Sequence, residues 1–433
     1  MTAVPLLPNQ IWFLETLHDA MVHPGRWTLG KVYRLDPAVT ERVARAAVTA
    51  VWAHHDSLRA RFRRVDGTWR QEIAEPGDPA PFRAIDLSLI APGERAEHVE
   101  QFAHDVAASL SVTGDQAIRF AYLSPGADGA PRLVLVAHHL VLDYFSLGVL
   151  AADLAAAMTA LCRAGEVRLP RAAGFAQCVE ALHEFAARDL VAELDYWAAL
   201  PWRDAVALPA EERPEEALRL SRTHSRRIPL GSATAEPAAL ALGLVGAATT
   251  GWAGGPVWFK SLHHGRDLVA RDGRRVLPPR AWRTVGWFAT AGLRLLPQHK
   301  NQDLASYLRE VADDPPAPNH GLGLSLLRWL VPATGADDVV GTIWSASQVL
   351  YDYASPRPAP SGVPGAVAEA AEAVPGYRDL TEPRLALHVH VRNLGDALST
   401  HWDYDPTSHP EEGVRRLASR AADLLDRHTH RTR

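Results

Sequence analysis

The sequence predicts a mixed α/β (α+β) fold built as two lobes, and three observations carry that expectation. The 433 residues exceed what one hydrophobic core organises, so lobes of roughly 150–250 residues each are expected. Segments with a helical repeat of apolar residues alternate along the chain with short apolar runs bounded by turn residues. The composition is 47% hydrophobic and 22% charged, the balance of a chain that folds and not of an extended disordered one.

The elements follow in order. Between Pro37 and Asp56, Val39, Val43, Ala46, Ala47, Ala50 and Val51 recur every three or four residues, the spacing of a helix buried on one face. Arg61 to Ile73 reads as a hairpin around Asp66-Gly67. Pro92 to Val112 is a second amphipathic helix, with proline tolerated at its first position. Ile118 to Leu123 and Arg132 to Ala137 are strands, the latter running into His138, and Phe145 to Arg163 returns to helical spacing. The first lobe is thus placed at residues 1–168 and the second, with a linker helix near Gly174–Leu200, at 169–433. The second lobe should hold a helix near Glu236–Thr249 and strands near Pro256–Leu262, Thr284–Leu296, Thr342–Tyr353 and Arg384–Val391. A final helix runs from about Pro410 to His428, and the stretch 201–235 reads as a connector. Ala354 to Ala373, rich in Pro and Ala, reads as a long surface or cleft-covering loop.

A net charge of −5 without a basic block gives no surface for a phosphate backbone, so nucleic acid is not an expected partner. Two cysteines, Cys162 and Cys178, are too few for a disulfide framework and carry no metal-type spacing. The N-terminus lacks a charged region before an apolar stretch, and no apolar run reaches the roughly 18 residues of a membrane span, so no membrane partner and a cytoplasmic location are expected.

No GxxxxGK[ST], HExxH or GxSxG pattern occurs; Gly323-Leu324-Ser325-Leu326-Leu327 lacks the second glycine of a nucleophile elbow. The informative segment is His138-His139-Leu140-Val141-Leu142-Asp143-Tyr144, at the end of a strand and before a helix. Neighbouring side chains of an extended stretch point to opposite sides, so only one of the two histidines faces any one cleft and the other serves the scaffold. Asp143 is placed to order the turn or to pair with an arginine elsewhere. Imidazole, titrating near pH 6.5, suits proton transfer at neutrality. His263-His264 forms a second pair, read as turn or cleft lining. His388, His390 and His401 read as surface or packing residues, because a metal site would need a third ligand supplied by the fold; no metal is expected.

The segment His138 to Tyr144 resembles the HHxxxDG motif of the condensation-domain superfamily of nonribosomal peptide synthetases. Asn9-Gln10-Ile11-Trp12-Phe13-Leu14 is similar to that family's opening AQxRLWxL, and His54-His55-Asp56-Ser57-Leu58-Arg59-Ala60-Arg61-Phe62 to its RHExLRTxF. Gly174-Phe175-Ala176-Gln177 and Leu194-Asp195-Tyr196-Trp197 look like its linker-helix signatures, and Thr284-Val285-Gly286-Trp287-Phe288-Ala289-Thr290 like its IGxFVNT. The resemblance runs in order along nearly the whole chain.

It implies two chloramphenicol-acetyltransferase-like lobes forming a V with a central tunnel, and amide or ester formation in natural-product biosynthesis. The donor would be an acyl thioester on the phosphopantetheine arm of an acyl or peptidyl carrier protein, the acceptor a small-molecule or carrier-bound amine or alcohol. The enzyme itself would bind no cofactor. A thioester arrives activated, so the protein needs only to position the acceptor and handle its proton. Residue by residue, His139 is implied as the catalytic base or positioning group, His138 and Asp143 as its supports, and Arg59 as structural. Trp287 would lie on a latch-like strand beside substrate.

Two departures stand out. Tyr144 replaces the motif's final glycine, where it would shape the tunnel or fill space. Leu262-His263-His264-Gly265-Arg266-Asp267 followed by Arg283-Thr284-Val285-Gly286-Trp287-Phe288 looks like the EGHGRE and RTVGWF of epimerization domains. Leu262 stands at the position of their glutamate and cannot carry a proton. A free-standing or excised condensation enzyme is the expectation, since the chain has room for this one unit, with a silent carrier-binding module and a coenzyme-A-dependent or epimerase-like enzyme as alternatives.

Overall fold

The computed structural model describes residues 1–114, 117–125, 129–210, 218–231, 235–313, 317–331, 338–355, 368–369, 380–382 and 386–431. Two compact units take their described residues from Met1–Phe185, His264–Ala289 and Pro358–Tyr377, and from Ala186–His263, Thr290–Arg357 and Arg378–Arg433. The boundary expected at residue 168 falls inside the first unit, and the segment His264–Ala289, assigned from sequence to the second lobe, is part of the first. Side chains explain this, since Asp143 and Asp153 draw two arginines of that segment onto one helix.

The first unit is built on a five-stranded sheet in the order Ala368–Glu369, Thr28–Arg34, Arg132–His138, Ile118–Ser124, Phe82–Asp86. The helix Arg95–Ala108 buries Val99, Ala103 and Ala107 in a cluster with Val32, Leu123, Val134 and Val136 of the sheet. The helix Glu41–His54 starts where the Thr40 hydroxyl caps the Val43 amide, and it packs on the helix Tyr144–Cys162. The expected hairpin is Ala60–Val65 and Thr68–Ile73, its turn made possible by positive φ at Asp66 (49°) and Gly67 (80°).

The helix Tyr144–Cys162 corrects one expectation, since its 19 residues are apolar enough in length and composition to cross a membrane. Its one acidic side chain, Asp153, is buried and paired with Arg283 and His55, and its Leu147, Leu150, Leu154 and Met158 are buried. Those contacts make it the core helix of the first unit.

The second unit holds a six-stranded sheet in the order Thr290–Leu296, Val257–His263, Val349–Ala354, Leu387–Asn393, Ala397–Tyr404, Arg222–Pro229. The helices Pro237–Ala253, Leu304–Asp313 and Glu411–Arg431 accompany it, and residues of all three join Phe259, Val349, Val389 and Trp402 in one core. Three expectations change. Thr284–Ala289 is not strand, which begins at Thr290; the stretch from Thr342 is the end of a helix, Asp338–Ala346; and Arg222–Pro229, read as connector, is an edge strand. Its inward face carries His224 and Arg226 before the buried Ile228, so the sequence does not show the apolar alternation of a strand with one buried face. The expected linker helix is broken into Phe175–Arg188, a 3-10 turn and Leu194–Ala199. Most of the loop expected at 354–373 lies outside the described residues.

Candidate active site

The strand Arg132–His138 ends because His139–Val141 turns into a single 3-10 step. This separates the two histidines. The His138 Nδ1 accepts the Leu140 amide at 3.1 Å while its Nε2 lies 3.0 Å from the Pro24 carbonyl, which puts the ring proton on Nε2. Burial lowers the His138 pKa to about 3, so the ring is a neutral scaffold group at pH 7.

His139 is held by its own backbone, whose N–H donates to the Trp27 carbonyl at 2.8 Å. Its ring stacks on Trp287 with centroids 4.2 Å apart and planes 30° from parallel. The residue is half-buried, and Nδ1 closes no hydrogen bond among the described residues. Burial holds its pKa at about 4, although the carbonyls of His139 and Leu142 and the Asp143 carboxylate pull the other way.

Asp143 is wholly buried and saturated with donors. Oδ1 accepts the amide and hydroxyl of Ser146, both at 2.8 Å, making Asp143 the N-cap of the helix Tyr144–Cys162. Oδ2 accepts Arg266 Nη1 at 2.8 Å and the Ala289 amide at 2.9 Å. Arg266 is the arginine that the sequence left unnamed. It also donates to the carbonyls of His264 (2.8 Å) and Thr284 (3.1 Å) and to the Ser146 hydroxyl (3.0 Å), with its guanidinium near the rings of Phe145 and Phe288. The buried pair therefore ties the segment carrying Trp287 to the helix that follows the histidines.

Gln10 completes the support from the N-terminal motif, donating to the Leu140 carbonyl at 2.7 Å and to Gln71 at 2.8 Å. Asn9 donates to the Ala289 carbonyl at 2.6 Å. Gly286 is required by space: a Cβ there would stand 2.6 Å from Phe288 and 2.8 Å from Phe175.

Among the sequence-predicted residues, His138, His139, Asp143 and Trp287 come together. Arg59 is buried away from them, donating to the carbonyls of Ala74, Trp52 and Ala53 and to Asp56, which is a structural role. Tyr144 is 50% exposed at the first position of its helix, with the Lys31 ammonium 5.4 Å from its ring. It fills no core space and takes the first position of a helix capped by Asp143. Gln10, Ser146 and Arg266 were not singled out from sequence. Arg266 lies in the HHGRD stretch noted for its likeness to epimerization domains, and that was the signal available.

Among the described residues, two groups have donor atoms close enough to share a metal ion: His54, His55 and Asp153, and His388, His390 and Asp403. In the first, Asp153 is already bonded to the Arg283 guanidinium and to His55, leaving no site for a second cation.

Residues 1–238 match the Condensation domain family, and the chain belongs to it. Members are acyltransferases that form amide bonds in nonribosomal peptide and polyketide synthetases. The chain is 28% identical over 353 residues to a linear gramicidin synthase of Brevibacillus parabrevis, covering 76% of this chain and 6% of that protein. It is 28% identical over 455 residues to chondramide synthase of Chondromyces crocatus, covering 99% and 11% respectively. It thus spans a small fraction of these relatives. The epimerization domain from the third module of a tyrocidine synthetase superposes with a TM-score of 0.80 at 20% identity, covering 98% of this chain and 96% of that one. A condensation domain mediating chain release from the enacyloxin polyketide synthase gives 0.73 at 19% identity, covering 99% and 82%. These two structures establish the shared fold, mixed α/β with chloramphenicol-acetyltransferase-like character.

Proposed function

We propose that the chain joins an acyl group, delivered as a thioester on a carrier protein, to an amine or hydroxyl acceptor, with His139 as the base or positioning group. The observation that carries this reading is a half-buried imidazole, stacked on Trp287 and held neutral at pH 7, on a turn locked by Gln10, His138 and the Asp143–Arg266 pair. A base with a pKa of about 4 is too weak to strip a free ammonium or alcohol. It is suited to hold a neutral nucleophile and to take its proton once attack on the carbonyl has made that proton acidic. The thioester C–S bond breaks, the new C–N or C–O bond forms, and the proton passes from acceptor to departing thiolate with His139 as the carrier.

His138 and Asp143 act through His139 and are positioning residues. Trp287, in face contact with the imidazole, limits where its ring can swing. Tyr144, exposed beside Lys31, is placed to touch substrate or carrier without serving the chemistry. The epimerase-like reading loses support from Leu262, which offers no second acid or base.

The test is intact-mass analysis of an acyl-loaded carrier protein incubated with the chain and a panel of amines and alcohols, beside a parallel arm using acyl-coenzyme A. Unloading of the carrier with formation of the matching amide or ester is the expected result. Transfer from coenzyme A alone would replace the carrier reading, and carrier binding without unloading would leave a recruitment module.

A further inference from the structure

The fold places His388, His390, Asp352 and Asp403 on one face of the six-stranded sheet. His388 and His390 are two apart on the strand Leu387–Asn393, so both imidazoles project from the same side. Asp352 pairs in register with His390 on the neighbouring strand, and Asp403 with His388 on the other. The opposite face carries Val349, Tyr351, Val389, Trp402 and Tyr404 into the core.

Three features of this cluster point to a ligand. His388 is 5% exposed, and both its ring nitrogens are buried without a hydrogen-bond partner among the described residues, a cost that packing alone does not explain. One donor atom each from His388, His390 and Asp403 lies within 4.8 Å of the others. His390 is bracketed by two carboxylates, and an ion would enter in place of its Nε2 proton. The His390 Nε2 lies 3.1 Å from Asp403 Oδ2, while its Nδ1 lies 3.4 Å from Asp352 Oδ2, a carboxylate behind the histidine. The Thr223 hydroxyl donates to Asp403 Oδ1 at 2.5 Å, leaving Oδ2 turned to the cluster. His401, the neighbour expected from sequence, is engaged with Ser225 and Ser399.

We propose that His388, His390 and Asp403 bind a divalent transition-metal ion of the zinc class. Asp352 orients His390 from behind, and a water takes the fourth position. Two imidazoles and a carboxylate form a borderline nitrogen–oxygen donor set suited to zinc. Asp352 and Asp403 together balance the charge of a divalent ion. His390 and Asp403 keep 33% and 20% of their side-chain surface exposed, which gives the ion a path in. The site clamps three adjacent strands, Val349–Ala354 through Asp352, Leu387–Asn393 and Ala397–Tyr404, and its role is structural.

The test uses the full chain, free of any histidine tag and stripped with a chelator, titrated with Zn²⁺ against a chromophoric competitor and followed by thermal unfolding. One equivalent bound with a rise in Tm is expected. That uptake should vanish in Asp403→Asn and His388→Gln and weaken about 10- to 100-fold in Asp352→Asn. Co²⁺ added to the wild-type chain should give the intense d–d absorption of a four-coordinate site, a readout independent of variant folding. Wild-type uptake no greater than that of Asp403→Asn, or uptake that survives in Asp403→Asn and is lost in His55→Ala, would overturn the proposal.

Discussion

Two clusters of the molecule use similar residues to opposite ends. Around Asp143 both carboxylate oxygens find partners: two groups of Ser146, the Ala289 amide and the Arg266 guanidinium converge on one carboxylate. Around His388 the two imidazole nitrogens stay unpartnered among the described residues, beside two carboxylates. A saturated cluster has one geometry and serves as a fixed mount. An unsaturated one is completed by something added. The contrast assigns the first to holding His139 still and the second to taking up an ion.

The largest expected effect attacks the saturated cluster. Arg266→Ala leaves the Asp143 carboxylate buried without its counter-charge and should cost about 3–5 kcal/mol in chemical denaturation. A loss under about 1 kcal/mol would show that the pair is not the mount described. Gly286→Ala comes next, because its methyl group would push on Phe288 and Phe175; overpacking of about 1–3 kcal/mol is expected, read as a fall in the denaturation midpoint.

Acid distinguishes the scaffold histidines from ordinary ones. The folded pKa of His138, about 3, lies below its usual 6.5, so the unfolded chain takes up a proton that the native chain refuses. Its contribution to stability is complete above pH 6.5 and is lost as the pH falls toward the folded value. Between pH 6 and 4, stability measured at each pH should fall less steeply in His138→Asn than in wild type, by on the order of 1.4 kcal/mol per pH unit. Equal slopes would mean that His138 is already charged in the folded protein. The smallest effect is expected at Tyr144, where Tyr144→Ala should shift stability by less than about 0.5 kcal/mol, as exposed positions do. A change in acyl-transfer rate without that shift would mark Tyr144 as a substrate or carrier contact.

The sequence made the first unit more legible than the second, for physical reasons. The helices Glu41–His54 and Arg95–Ala108 have one face in a core and one in water, so their apolar period is plain, the strands Ile118–Ser124 and Arg132–His138 are apolar runs bounded by turns, and the histidine segment sits where a strand turns into a helix. In the second unit Arg222–Pro229, read as connector, is a polar edge strand, while Thr284–Ala289, read as second-lobe strand, belongs to the first unit and is apolar because it is buried, not because it is extended. The site shows the same division. His139, His138, Asp143 and Trp287 were readable from their motifs. Arg266, 123 positions from Asp143, is joined to it only by the fold. The metal candidate also needed the fold, since Asp403 reaches His390 only by strand pairing.

If the rigid mount exists to present His139, removing that imidazole must cost rate and not stability. The deciding quantity is the rate at which an acyl-loaded carrier is discharged by wild type and by His139→Ala, compared at equal folded fraction. A fall of about 10²- to 10⁴-fold is expected, with the unfolding midpoint little changed. Discharge by the variant within a few-fold of the wild-type rate would remove His139 from the chemistry and leave the mount without its purpose.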